Sequence, residues 1–65
     1  MTLYSKDDCP RCDMLKTKLK AKGIDFVEVK DEGLIESLGI EFLPVLKVGE
    51  DLLELSKAND FINSL

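Results

Sequence analysis

The sequence predicts an α/β fold in the order βαβαββα, a four-stranded mixed sheet flanked by helices. Three observations predict it. A strand-like run opens the chain and is followed by an apolar stripe at helical spacing and a second strand-like run, the pattern of a βαβ unit. Two short apolar runs on either side of Gly49-Glu50 read as a hairpin. A last apolar face, Ala58, Phe61, Ile62 and Leu65, has the spacing of a closing helix.

Thr2 to Ser5 reads as the first strand, and Lys6 to Asp8 as a polar connection. Proline is favoured at the first position of a helix, where its missing N–H would be unpaired anyway, so Pro10 starts the first helix with Cys9 at its cap. Cys12, Leu15 and Leu19 define the buried stripe. Gly23 supplies the stop, and the lysines before it suit the negative end of the helix dipole, which gives a helix from Pro10 to Lys22. Ile24 to Val29, rich in β-branched and aromatic residues, is the second strand, and one intervening helix makes it parallel to the first. Leu34, Ile35 and Leu38 form a short second helix closed by Gly39. Pro44 precedes the third strand, Val45 to Val48, and Leu52 to Leu55 is the fourth. Ser56 is the expected cap of the last helix.

A chain of 65 residues with 45% hydrophobic content and no polar low-complexity tract reads as one folded domain, residues 1–65. Its core must be economical, so a site belongs in a surface groove. No run approaches the roughly 20 apolar residues that cross a bilayer, and no basic stretch followed by an apolar one suggests a signal peptide. The net charge of −4 argues against general nucleic-acid binding. The charge is uneven: residues 1–23 carry six basic and three acidic side chains, and residues 24–65 three basic and ten acidic. The lysine row Lys16, Lys18, Lys20 and Lys22 reads as a solvated helix face.

The chemistry lies in "YSKDDCPRCDML", which holds both cysteines. A disulfide closing so short a loop removes little chain entropy and would be a poor staple. With two cysteines in all, the chain is no disulfide-stapled secreted mini-protein, which favours a cytosolic setting. A helix N-terminus would place Cys9 against unpaired N–H groups and the positive end of the dipole, which favours the thiolate, the attacking species. Lys6 and Arg11 add to this, while Asp7, Asp8 and Asp13 oppose it. Cys12, one turn on, lies on the buried stripe. The asymmetry makes Cys9 the nucleophile and Cys12 the resolving thiol. Other readings compete. A structural zinc site normally uses four Cys or His ligands, and this chain has no histidine and no third cysteine, so it would need two copies. An iron–sulfur cluster bridging two chains needs outside thiolates. Packing alone would explain Cys12 but hardly Cys9 before a proline. A C-x-x-C at a strand–helix junction beside a βαβ pattern points to redox chemistry.

"LYSKDDCPRC" resembles the active-site stretch of glutaredoxins, strand, Ser-Lys-x-x-Cys-Pro-x-Cys, helix. "FLPVLKVGEDLLEL" is similar to the family's later segment, where a cis proline precedes the third strand. The chain also resembles the small redoxins that reduce ribonucleotide reductase and the short glutaredoxin-like proteins of bacteria and phages. The resemblance implies a minimal thioredoxin-like fold and a cytoplasmic, monomeric thiol–disulfide oxidoreductase. Disulfide-containing proteins would be its substrates, and glutathione or a thioredoxin-reductase-type enzyme its electron donor. It implies no bound cofactor and no metal, with glutathione entering only as co-substrate. Cys9 and Cys12 match the catalytic pair. Lys6 matches a lysine that binds a glutathione carboxylate. Pro44 matches the cis proline facing the cysteines, an isomer found at about 5–6% of X–Pro bonds. Leu43 would pair its backbone with the substrate chain, and Phe42, Leu43 and Pro44 would form an apolar rim beside Cys9. Pro10 and Arg11 would line the same groove. The family usually has Thr-Val where Phe42-Leu43 stands. It also has Gly-Gly and small or acidic residues where this chain reads Glu54-Leu55-Ser56-Lys57. Ser56 and the helix start behind it would then receive a carboxylate. The other class of function is a binding module that docks on a partner or holds a metal or cluster between two chains.

Overall fold

The computed structural model describes all 65 residues, Met1–Leu65. The elements run β1 (Thr2–Tyr4), α1 (Pro10–Ala21), β2 (Val27–Val29), α2 (Glu32–Ser37), β3 (Val45–Val48), β4 (Asp51–Glu54) and α3 (Leu55–Asn63). They form one sheet of order β2-β1-β3-β4, with β1 parallel to β2 and antiparallel to β3, and β3 antiparallel to β4. This is the expected βαβαββα order. No helix is long and apolar enough to cross a membrane.

Strand alternation assigns the two faces of the sheet. Leu3 stands opposite Leu46, and Leu46 opposite Leu53, on one face. That face meets Leu15 and Leu19 of α1 and Ala58 and Ile62 of α3, a cluster whose six central residues have no exposed surface. Each fully buried leucine in it contributes about 1.5–3 kcal/mol relative to exposure. On the other face Tyr4 and Val45 pack with Ile35, the one buried residue of α2. That helix has six residues and covers only part of its face.

Two boundaries differ from expectation, the start of β2 and the junction of β4 with α3. α1 ends in a Schellman motif: the Gly23 N–H bonds to the Lys20 carbonyl and the Ile24 N–H to the Leu19 carbonyl. Ile24 thus serves the helix end, packing on the α1–α3 core, and β2 begins only at Val27. α2 ends the same way, with Gly39 N–H on Glu36 and Ile40 N–H on Ile35. Both glycines have positive φ, 69° at Gly23 and 75° at Gly39. At the second boundary β4 runs Asp51–Glu54 rather than Leu52 to Leu55, and Ser56 is not the cap of α3. Glu54 holds that position, extended and without a side-chain hydrogen bond, because it is the last paired residue of β4, opposite Val45. Strand runs into helix with no loop between, and Ser56 falls inside the first turn. Leu65, expected on the apolar face of α3, lies beyond the helix and is 53% exposed.

The lysine row of α1 is more than a solvated face. Lys18 donates to Asn59 and Asn63 of α3, Lys22 to the Leu65 carbonyl, and Lys16 to Glu28 of β2.

Gly23 tests the capping argument directly. An added Cβ would meet nothing within 4 Å, so only the backbone conformation opposes it. Gly23→Ala is expected to cost about 1 kcal/mol, the left-handed conformation being unfavourable for any residue with a Cβ. Urea denaturation checks this: the midpoint should fall with the slope unchanged.

Candidate active site at the C-terminal edge of β1

The strand pairing gathers the site at one end of the sheet. Tyr4 pairs with Val29 and Val45, and Val45 with Glu54. The segments that continue from these residues therefore share an end: Ser5 to Cys9, Lys30 onward, Pro44 and Leu55 onward. All three helices start there. Ligand sites of open α/β sheets sit outside such strand ends.

Cys9 is the N-cap of α1. Its φ and ψ of −121° and 95° are extended, Pro10 follows at the first helical position, and its carbonyl accepts the first helical hydrogen bond, from Asp13 N–H. The Cys12 N–H points at Cys9 Sγ, 3.2 Å away. The sulfur thus occupies the place of a capping oxygen, where unpaired helix N–H groups and the dipole favour an anion. Before it, Asp8 has a φ of 54°, a left-handed conformation that Asp tolerates better than most side chains. Asp7 pairs with Lys30 at 3.0 Å and so ties this loop to the end of β2.

Cys9 and Cys12 are joined by a disulfide, with Cα atoms 5.3 Å apart. Cys12 is fully buried, as the stripe predicts. Cys9 is less open than expected, retaining 6% exposure. Bonded to a buried sulfur and accepting from the helix end, its side chain lies back on the first turn instead of projecting into solvent. The order of access is unchanged, because any approach to the disulfide must come through Cys9. Pro10 and Arg11 are exposed beside it.

The Leu43–Pro44 bond is cis, the isomer the resemblance implies. Pro44 is fully buried and so is no part of a surface rim. It immediately precedes Val45, which is held in the sheet on both sides, and so it is enclosed with it. The rim falls to Leu43, half-buried, and Phe42, 73% exposed. Glu41, Phe42 and Leu43 make no backbone hydrogen bond within the chain.

Lys6 and Ser56 are not brought together. Lys6 lines a groove of about 180 Å³ with Glu32, Glu36, Glu41 and Leu43. Ser56 lines another, with Leu52, Glu54 and Lys57. The chain brings together no group of three His, Cys, Asp or Glu side chains able to hold a metal.

A polar network beside the cysteines escaped the sequence reading. Ser5 is fully buried and donates to Glu28 at 2.7 Å. Glu28 also receives Lys16 at 2.9 Å, and Lys16 reaches Asp13 at 3.2 Å. Ser5 lies two residues past Leu3, on the same face, and that parity was the available signal for its burial. The Lys16 hydrogen bond, then that of Ser5, holds the Glu28 carboxyl below its ordinary value. Lys16 is raised, chiefly by its bond to Glu28 and next by Asp13.

A mixed four-stranded sheet with a Cys-Pro-Arg-Cys disulfide at the first helix start and a cis proline at the same sheet end defines a small thioredoxin-like dithiol protein. The glutaredoxin family model matches residues 1–53, and the chain belongs to that family. The matched stretch stops at β4, before Glu54 and Ser56, where the sequence departs from the family pattern. Comparison with curated proteins and with solved structures gives no match.

The network has a pH signature. A glutamate whose folded pKa is lowered stabilises the fold above its unfolded value, near 4.5, and loses that contribution as pH falls through the folded one. Wild type should exceed Glu28→Gln in stability at pH 7, and denaturation curves from pH 7 to 3 should show the gap closing below the unfolded value. A pH-independent gap would contradict the account. Ser5→Ala should cost about 1.5 kcal/mol at pH 7, the low end of the scale for a hydrogen bond to a charged group, because the Glu28 end is only part-buried.

Proposed function

We propose that this glutaredoxin is a dithiol reductant of protein disulfides. The Cys9 thiolate attacks one sulfur of the substrate disulfide. A Cys9–substrate disulfide forms, and the other substrate sulfur leaves as a thiolate and takes up a proton. Cys12 then gives up its proton and attacks Cys9 Sγ. The Cys9–Cys12 disulfide forms, and the second substrate thiol is released. Two electrons pass to the substrate in each cycle. Glutathione or a thioredoxin-reductase-type enzyme returns them by reducing the Cys9–Cys12 bond, and no metal or organic cofactor enters. The protein acts as a monomer in a reducing compartment, the cytoplasm.

The carrying observation is the Cys12 N–H on Cys9 Sγ, together with the complete burial of Cys12. Once the disulfide is reduced, the sulfur at the helix cap would be favoured as an anion on the approach side, while the other is withheld from everything but its neighbour. Leu43, with its backbone N–H and C=O free of internal partners, supports docking of an extended substrate segment beside the cis proline. The carboxylates around Lys6 favour an enzyme over glutathione as donor, because glutathione carries net negative charge.

Trapping tests the roles. Reduced Cys12→Ser, mixed with a disulfide-containing protein, should accumulate a mixed disulfide at Cys9, seen by mass spectrometry and cleaved by dithiothreitol. Cys9→Ser should trap nothing and reduce nothing above background. Trapping by Cys9→Ser alone would reverse the assignment.

A further inference from the structure

Much of the sheet face that carries Val45 is left open by the six-residue α2. On that face, between the loop after α2 and β4, lies a groove of about 200 Å³ lined by Ile40, Phe42, Val45, Leu52, Glu41 and Glu54, among others. Phe42 is 73% exposed and Leu52 45%, unusual for two large apolar side chains sharing one groove. Ile40 and Glu41 also line the Lys6 groove, so the two depressions adjoin there, and the second reaches Leu43 at the cis proline. Across both, four carboxylates (Glu32, Glu36, Glu41 and Glu54) stand against one ammonium, that of Lys6. None of the five takes part in an ion pair. Two further cations stand at the margin without lining either depression: Lys47 is opposite Leu52 in the strand register, and Lys57 shares an adjoining depression with Leu52 and Glu54.

We propose that these adjoining grooves dock an extended segment of a substrate protein that carries lysine or arginine within a few residues of its disulfide cysteine. An apolar side chain of the segment would rest on Phe42 and Leu52. This rests on the proposed function and goes further by naming the substrate's chemistry. Three features select that occupant. The free backbone groups of Glu41 to Leu43 suit an extended chain. The unpaired carboxylates repel anionic partners and attract basic ones, which sets both specificity and encounter rate. A second copy of this chain would bring its own acidic groove and a net charge of −4.

The test separates docking from chemistry. Two fluorescent decapeptides, identical but for flanking Lys/Arg or Glu, carry serine for the reactive cysteine, and their binding to the oxidised protein is read by anisotropy. The basic peptide should bind about tenfold more tightly, the scale of two or three exposed charge pairs. The preference should shrink at 0.5 M salt. The exposed double substitution Glu36→Gln/Glu41→Gln should remove most of it, and Phe42→Ala should weaken binding of the basic peptide. Equal binding, tighter binding of the acidic peptide, displacement by glutathione, or a dimer in sedimentation that buries Phe42 would each overturn the proposal. Trapping with the cysteine-containing forms then reads the chemistry separately. A binding preference without trapping sinks the exchange mechanism alone, and trapping without a binding preference sinks this inference alone.

Discussion

The hydrogen bond from Cys12 N–H to Cys9 Sγ is the constraint on which the site depends. It exists only because a helix begins at that sulfur, and the helix begins there because Pro10 suits the first helical position and Cys9 can adopt the extended cap conformation. The direction of α1 is set in turn by Leu15 and Leu19 on Leu3 and Leu46. Those contacts point the helix start at the end of the sheet where β1 stops and β3 begins. The hydrophobic core thus aims the dithiol, and the cap makes its two sulfurs unequal.

The uneven charge along the chain has a structural outcome. Half of the six basic side chains of the N-terminal third are consumed internally, with Lys16, Lys18 and Lys22 bonded to β2, α3 and the chain end. These bonds hold α1 to its neighbours on both sides of the leucine cluster. The acidic remainder is not neutralised in the same way, and the carboxylates of α2, of the loop after it and of the β4 end stay free around the grooves. Charge that would cancel in the sum is therefore partly separated in space, with three lysines of α1 in the scaffold and the free carboxylates around the grooves.

The cysteine pair and its helix were legible because their signals are local: Pro10 at the helix start, Cys12 in register with Leu15 and Leu19, Gly23 and Gly39 as stops. The hairpin was legible from Gly49-Glu50. What escaped the sequence was decided by tertiary pairing. Ile24 looks like a strand residue, but the Schellman bonds claim it for the end of α1. Ser56 looks like a cap, but pairing of Glu54 with Val45 carries the strand up to the helix. Ser5 looks like a surface residue, but the sheet end it occupies is covered, and its hydroxyl survives there because Glu28 accepts from it. The burial of Pro44 and the partial burial of Cys9 are likewise products of the assembled sheet end.

Size explains why the free groove is apolar as well as acidic. Only 13 of the 65 residues are buried, and two small clusters account for most of them. A domain this small has too little chain to build walls around a ligand, because each wall would need its own core. The second sheet face shows the consequence: a six-residue helix seals Tyr4 and Val45 and leaves Phe42 and Leu52 uncovered. Exposed apolar groups of this kind invite aggregation unless charge surrounds them, and Glu41 and Glu54 stand beside both in the same groove. In the proposed docking, the same carboxylates would decide which partner can approach. A partner docked as proposed would supply apolar cover and positive charge together, and it would lie against Leu43 to bring its disulfide to Cys9.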